Sequence, residues 1–422
     1  MIELISIISQ IIFITVLISL PNKLTYFSDK KNIYLLISVI YLSFVLLVIS
    51  FLDINFKYVR FILYGIFFIN LIFMWREKKY LYFFNYNFLF FFLIVFTLSL
   101  NLAVDLRLGW DAQNYWIIKS LNFVNGGNVF DLQNHARPDY PHFGSYLWGV
   151  FSSTSLLQHE YFGRIFYIYL FVLSIFSITS FVQVSNHYKI IIFILLVIIF
   201  KNNYIFNGYQ EALVFSYATI LSCFIIQFHK NIYEKKNIFL TAMTFFIIFW
   251  LKNEALIFST IFFISIAFFN MNKRFIYFGF LFVLLILLRI ILYKTFGFEN
   301  NFQSGNYENF LITDLDKYIT LDRFLVIIKH SIIALFKIPV IIIMIISVLL
   351  IKHYKKDILN KIVLLNFVLG MFFIFSAYLF SNFPLNFHLS TSIDRIFIQF
   401  SGFNIILIVL LINYLKLKQL TK

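Results

Sequence analysis

Strongly apolar segments of about 20 residues recur along this chain from one end to the other, and nothing else in it constrains the fold so tightly. "MIELISIISQIIFITVLISL" occupies 1–20, "FLFFFLIVFTLSLNLAV" 88–104 and "FIYFGFLFVLLILLRIIL" 275–292. As a helix, such a segment rises roughly 30 Å, the thickness of a bilayer's hydrocarbon core. Lipid offers no partner to backbone N–H and C=O groups, so a spanning segment must be a helix or part of a closed barrel. These runs lack the alternation of barrel strands. The chain therefore reads as an all-α polytopic membrane protein. Its 61% hydrophobic and 13% charged residues agree, a balance no soluble domain carries.

Thirteen transmembrane helices are expected, near 2–21, 33–52, 58–75, 80–104, 161–182, 188–203, 209–228, 238–252, 254–270, 275–295, 325–350, 361–381 and 395–415. The first has no basic flank and no small-residue cleavage site, so it reads as a retained helix. Residues 141–158 are apolar but short and interrupted, and re-entrant, interfacial and spanning placements all stand.

Charge sets the orientation. With 141–158 not spanning, Lys and Arg cluster in one set of short connections: 23–31, 76–79, 189, 230–236, 273–274, 352–356 and the tail 416–422. By the positive-inside rule that is the cytoplasmic side, with the N-terminus outside and the C-terminus inside. Among the acids only Asp29, Glu77, Glu234 and Asp357 fall there. The formal charge of +15 thus reports topology, and no basic motif of a nucleic-acid binder is present. The longest polar connections, 105–160, 296–324 and 382–394, share the outer face. Walker A, dinucleotide Gly motifs and His/Cys ligand clusters are absent, which argues against a nucleotide-driven pump. The single Cys223 excludes an intramolecular disulfide.

Four outer stretches carry chemistry. "LGWDAQNYWIIKS" at 108–120 places Asp111 where the chain leaves hydrocarbon. An N-cap to the following helix explains an Asp there, and so does a working carboxylate; the two are compatible. Asp105, six residues earlier, is a boundary charge or a second acid. In "HARPDYPHFGSYLWG" at 135–149, Pro138 and Pro141 stiffen the backbone around Asp139 and Tyr140, and His135, Arg137 and His142 add cationic or switchable groups. "WLKNEALIF" at 250–258 sets Lys252, Asn253 and Glu254 in one tight apolar-flanked turn. "FHLSTSIDRIFIQF" at 387–400 puts His388, Asp394 and Arg395 at the entrance of the last span, where Arg395 can snorkel, pair with Asp394 or clamp a phosphate. Carboxylates and cations on one face of a helical bundle suit a reaction on a lipid-linked phosphate: an acid takes the proton of an attacking hydroxyl, and cations hold the leaving group.

Taken in order, "WDAQNYW", "RPDYPHFGSYLWG", "LKNEA" and "HLSTSIDR" resemble the membrane-embedded GT-C glycosyltransferases, in particular the bacterial branch near the protein-mannosyltransferase and aminoarabinose-transferase types. The resemblance covers about 80–415, leaving 1–79 as N-terminal transmembrane helices and 416–422 as a cytoplasmic tail. It implies a bacterial inner-membrane enzyme whose first large periplasmic loop, 105–160, carries the catalytic acid, at the position of Asp111. It implies a polyprenyl-phosphate sugar donor and a periplasmic glycan, lipid or protein acceptor. Asp111 would be the general base of an inverting transfer, with Asp105 and Glu254 orienting the acceptor, the Lys or a divalent ion. Lys252, Arg395 and Arg137 would meet the donor phosphate, with Asp139, Tyr140, His388 and Asp394 lining the substrate site. "DYP" falls where relatives carry a Pro-rich turn, and "KNE" matches a Lys-Asn-Glu-Gly signature with Ala255 in place of Gly. Three spans precede the one entering the loop, where many members have one. No Asp-x-Asp or Glu-x-Asp pair stands within the 105–160 loop, so no cofactor is required and a divalent cation stays open. Two other readings stand beside this one: an O-antigen-type polymerase or ligase using a lipid-pyrophosphate donor, and a lipid-linked glycan flippase.

Overall fold

A computed structural model describes residues 1–21, 31–228, 234–269, 273–298, 318–351, 358–381 and 383–420. Most of the expected outer loop 296–324 and part of the 416–422 tail lie outside the described residues. Within them the chain is helical, with no strand. The helices are α1 (Ile2–Leu17), α2 (Lys31–Ser50), α3 (Phe56–Arg76), α4 (Tyr86–Val104), α5 (Ile117–Val124), α6 (Phe143–Ser153), α7 (Tyr161–Thr179), α8 (Asn186–Phe200) and α9 (Glu211–Phe228). They continue as α10 (Lys235–Phe249), α11 (Asn253–Phe269), α12 (Lys273–Thr295), α13 (Leu321–Lys337), α14 (Val340–Ile351), α15 (Ile358–Leu379), α16 (Leu385–Asn404) and α17 (Ile406–Leu420).

Seven of these are long and apolar enough to cross a membrane, or nine if each of two bent pairs is one crossing. The bends depart from the straight spans expected at 325–350 and 395–415. α13 and α14 meet at 102°. Pro339 lies between them; it has no N–H to continue the helix and drives Ile338 out of helical backbone, to φ −124° and ψ 72°. α16 starts ten residues before the expected boundary and meets α17 at 54°. There the Asn404 side chain donates to the Phe400 carbonyl, 3.0 Å away, intruding on the backbone ladder. α6 covers only 143–153 of the ambiguous 141–158 segment. At eleven residues, or about 16 Å, it is too short to cross, and it is buried along its whole length.

α7 and α9 form the centre, buried along 94% and 89% of their apolar windows, whereas α3 and α12 are buried along only 22% and 17% and turn large apolar side chains outward. A lipid-facing helix gains nothing by hiding such residues, so what fixes the packing is small residues and internal polar contacts. Gln10 on α1 donates to the Phe151 carbonyl of α6 at 2.8 Å. Asn70 donates to the last carbonyls of α1, Val16 and Leu17, at 3.1 and 2.9 Å. Ser43 and Tyr217 share a hydrogen bond of 2.5 Å.

The connections sort into two ends. At one, Asn128 donates to Asp53 at 3.1 Å, the Gly109 N–H to Asn207 at 2.9 Å, the Phe143 N–H to Trp250 at 3.2 Å, and Arg323 to Ser381 at 2.9 Å. The acid-bearing loops expected on one face therefore meet in space. At the other end Lys79 reaches Tyr34 at 2.6 Å, and the Gln183 N–H donates to Asn413 at 2.8 Å.

Candidate functional site

The loop-rich end holds a buried ionic network. Asp111 opens a helix of one continuous path with α5, whose first turns, Ala112–Trp116, are π-helical. π-helical turns are rare and shift the register of the side chains after them. Asp111 has helical backbone and makes no capping bond, so the N-cap reading of this residue is replaced. Its carboxylate instead pairs with Arg395 of α16, 284 residues away. Nε of the same guanidinium donates to Glu211 Oε1 at 2.5 Å. Lys252 pairs with that Glu211 oxygen as well. Glu211 is fully buried at the first turn of α9, while Asp111 and Lys252 retain 8% and 5% exposure. Two carboxylates and two cations thus neutralise one another where a lone charge would cost several kcal/mol. Glu211 Oε2 is buried with no hydrogen-bond partner among the described residues.

Tyr209 completes this centre. Its ring lies 4.7 Å from the Arg395 guanidinium, a cation–π contact, and packs on Gly109. A Cβ at Gly109 would fall 1.9 Å from that ring, so only glycine allows the 108–111 strand of chain to sit so close. Arg164, fully buried on α7, fixes both loops: it donates to Phe206 at 2.7 Å and Leu106 at 3.2 Å and pairs with Glu160 at 2.5 Å.

The Pro-bracketed turn forms the next layer. Arg137 grips Asp139 through two bonds of 2.9 Å and lies 4.0 Å over the Tyr140 ring. Its φ of +59° is costly for a residue with a Cβ. Lys119 offsets that cost: fully buried, it donates to the carbonyls of Arg137 at 2.9 Å and Tyr140 at 2.6 Å. Burial pushes the Lys119 ammonium down to about 7, against the pull of Asp139. Tyr140 stacks on Trp116 at 5.2 Å and meets Tyr115 edge-on at 5.5 Å, and Tyr115 meets exposed Trp110 at 5.5 Å. This aromatic series runs from solvent to Arg137. Burial holds the Tyr140 phenol well above its ordinary range.

Glu254, half-buried at the start of α11, has no hydrogen-bond or ion-pair partner among the described residues. It lies within electrostatic reach of Tyr140, Tyr378 and His388. Asn253 beside it donates to the Asp139 carbonyl at 3.3 Å and accepts from Arg289 at 2.5 Å. The 250–255 turn is thereby tied to the 137–140 turn.

The structure thus joins Asp111, Lys252 and Arg395 in one network, with Arg137, Asp139, Tyr140 and Glu254 beside it. Three expected arrangements differ. Asp105 caps the end of α4 and pairs with exposed Arg107 at 2.6 Å, whose hydrogen bonds hold its carboxyl down at about 2; it does not pair with Lys252. Lys252 pairs with Glu211 and not with Glu254. Asp394 pairs with Lys337 of α13 at 2.9 Å and not with Arg395, because neighbours on a helix point about 100° apart. His388 bonds Ser381 at 2.7 Å and packs on Tyr378, at the edge of this region. His142 is no switch: it is enclosed by Phe51, Phe123 and Trp250, bonds Ser50 at 2.9 Å, and burial pushes its imidazole down to about 3.

Glu211, Lys119 and Arg164 are the residues the sequence reading passed over. An acid or cation opening an otherwise apolar run was the available signal for each. Among the described residues no group of three or more His, Cys, Asp or Glu is placed to hold a metal ion. No protein-family model, curated protein or solved structure matches the chain.

Proposed function

We propose that this chain is an inverting glycosyltransferase of GT-C type, with thirteen transmembrane segments, working on the periplasmic face of a bacterial inner membrane. It would move a sugar from a polyprenyl-phosphate donor to a glycan, lipid or protein acceptor. The observation that carries this reading is the Asp111–Arg395–Glu211–Lys252 network, which sets a base candidate against one cation and links it through Glu211 to a second. In the proposed step the Asp111 carboxylate takes the acceptor's O–H proton. The acceptor oxygen bonds the anomeric carbon, the bond from that carbon to the phosphate oxygen breaks, and the lipid phosphate leaves with the electron pair. Arg395 and Lys252 supply N–H donors to that leaving charge. An arriving phosphate competes with Asp111 for Arg395, and loss of that partner makes Asp111 a stronger base. Glu254, His388 and the Tyr140 series form the wall on the acceptor side.

A second reading, a polymerase or ligase taking a lipid-pyrophosphate glycan, draws on Arg289. It is buried at the same end, and its Nη1 has no hydrogen-bond partner among the described residues. One experiment separates the two. Purified protein is offered short-chain polyprenyl-phosphate sugars and lipid-pyrophosphate glycans, wild type beside Asp111→Asn, with and without chelator. Transfer from the monophosphate donors is expected, reduced at least about a hundredfold in Asp111→Asn, the scale of a general base. Undiminished transfer by Asp111→Asn removes that residue from the role. Transfer from pyrophosphate donors alone selects the second reading, and loss with chelator adds a divalent ion.

A further inference from the structure

Lys119 of α5 is fully buried, pairs with no carboxylate among the described residues, and has no part in the proposed chemistry. Its Nζ donates to the carbonyls of Arg137 and Tyr140, at 2.9 and 2.6 Å. An amine has two N–H groups and an ammonium three. Two carbonyls satisfy the amine completely and leave the ammonium with one N–H unpaired, out of water. These carbonyls belong to the first and last residues of one four-residue turn, closed by the Tyr140 N–H on the Arg137 carbonyl at 3.2 Å. Lys119 therefore spans both ends of the turn. The turn is loaded, because Arg137 is held at a φ of +59°. Trp116, three residues before Lys119 on the same helical path, stacks on the Tyr140 ring at 5.2 Å. One helical path thus holds the turn through one ring and one amine.

The charged and titratable groups facing Lys119 are Asp139 and Arg137 of the turn, His135 before it and His142 at the start of α6. Asp139 attracts an ammonium, but Arg137 already grips that carboxylate and repels a second cation. Burial pushes both imidazoles down, His142 to about 3, so neither carries a proton above neutral pH. We propose that Lys119 is a proton-controlled clasp: as the amine it holds the Arg137–Tyr140 turn closed, and taking up a proton releases it. Linkage fixes the direction. In water the Lys119 ammonium would titrate at its ordinary value, 10.5, whereas burial in the closed turn holds it down at about 7. The open turn therefore binds more protons than the closed one between those two values. The closed turn gains stability as pH rises through that window, and below about 7 the gain is absent. Opening would separate Tyr140 from Trp116 and break the aromatic series that reaches solvent at Trp110. The inference is independent of the glycosyltransferase reading.

Hydrogen exchange of the full chain in detergent tests it, read by mass spectrometry on both sides of neutral pH and corrected for the intrinsic exchange rate at each pH. The Tyr140 amide reports the turn. Its protection is expected to be flat below about pH 7 and to rise about tenfold per pH unit above it, the slope of one linked proton. Lys119→Met keeps a long unbranched side chain but has no proton to take up, so the rise should vanish. Asp139→Asn is the second variant and is nearly the same size. Without that charge the clasped ammonium is harder to form, so the break should move to lower pH. Protection independent of pH in wild type, the same rise in Lys119→Met, or a break that Asp139→Asn leaves in place overturns the clasp. So does a matching break in the amides of α7 at the centre of the bundle, because the proton would then be linked to unfolding of the whole chain and not to the turn.

Discussion

At the scale of single residues, the network's neutrality is its main physical property. Asp111, Glu211, Lys252 and Arg395 sum to zero charge, and Glu211 is out of water altogether. Removing one member leaves an uncompensated buried charge. Lys252→Met should therefore destabilise the protein by about 3–5 kcal/mol. Adding Glu211→Gln restores neutrality, because Arg395 and Asp111 remain as a pair, and most of the loss should return. Thermal unfolding in detergent of the two variants beside wild type reads this directly. A double variant no more stable than Lys252→Met would show that the charges are not coupled. Three of the four members were legible from the sequence, because each stood out against apolar neighbours: Asp111 after a span, Lys252 inside a turn, Arg395 before the last span. Glu211 was visible as an acid at a helix start but not as the hub. Nothing local says that an acid at position 211 faces a cation 41 residues on and another 184 residues on. Partner choice is a property of packing, and hydropathy does not carry it.

At the scale of elements, the network depends on how closely α9 and α16 approach. Glu211 begins one and Arg395 lies on the other, and Gly402 is where they touch. A Cβ at Gly402 would lie 2.6 Å from the Phe215 carbonyl oxygen and 2.9 Å from its Cα. Backbone cannot swing aside as a side chain does, so the helices must part. Gly402→Ala should cost about 1–3 kcal/mol of stability, as overpacking does. It should lower transfer as well, by drawing Arg395 away from Glu211. Gly65→Ala is the control: no atom lies within 4 Å of its Cβ position, and alanine is the better helix former there. Equal behaviour of the two variants in unfolding and transfer would count against the close crossing. Helix existence was legible from apolar run length, and so was the lysine bias of the connections. The Pro339 bend was readable in principle, since a proline stands inside the 325–350 run. The bend at Asn404 and the π-helical turn after Asp111 were not, because both arise from where a side chain or a register finds its partners in the folded bundle.

At the scale of the whole molecule, the two ends differ in kind, and the proposed function assigns them to different leaflets. One end gathers the long loops, the ionic network and the aromatic series; the other carries Lys79, Lys189 and Lys235. Cys223, the single cysteine, is buried. Single cysteines placed elsewhere can therefore be read without removing it. Asn125→Cys lies exposed in the 105–160 loop, and Lys235→Cys lies exposed at the start of α10, at the opposite end. In intact cells a membrane-impermeant maleimide should label Asn125→Cys, and Lys235→Cys only after permeabilisation. That outcome puts the network where polyprenyl-phosphate sugars and periplasmic acceptors meet, and the lysines against the anionic inner leaflet. The reverse pattern would keep the network's chemistry but expose it to cytosolic donors, and the periplasmic acceptor would have to be abandoned. Labelling of both positions from one side would overturn the two-ended arrangement itself, since α10 runs from Lys235 to the turn that carries Lys252 into the network.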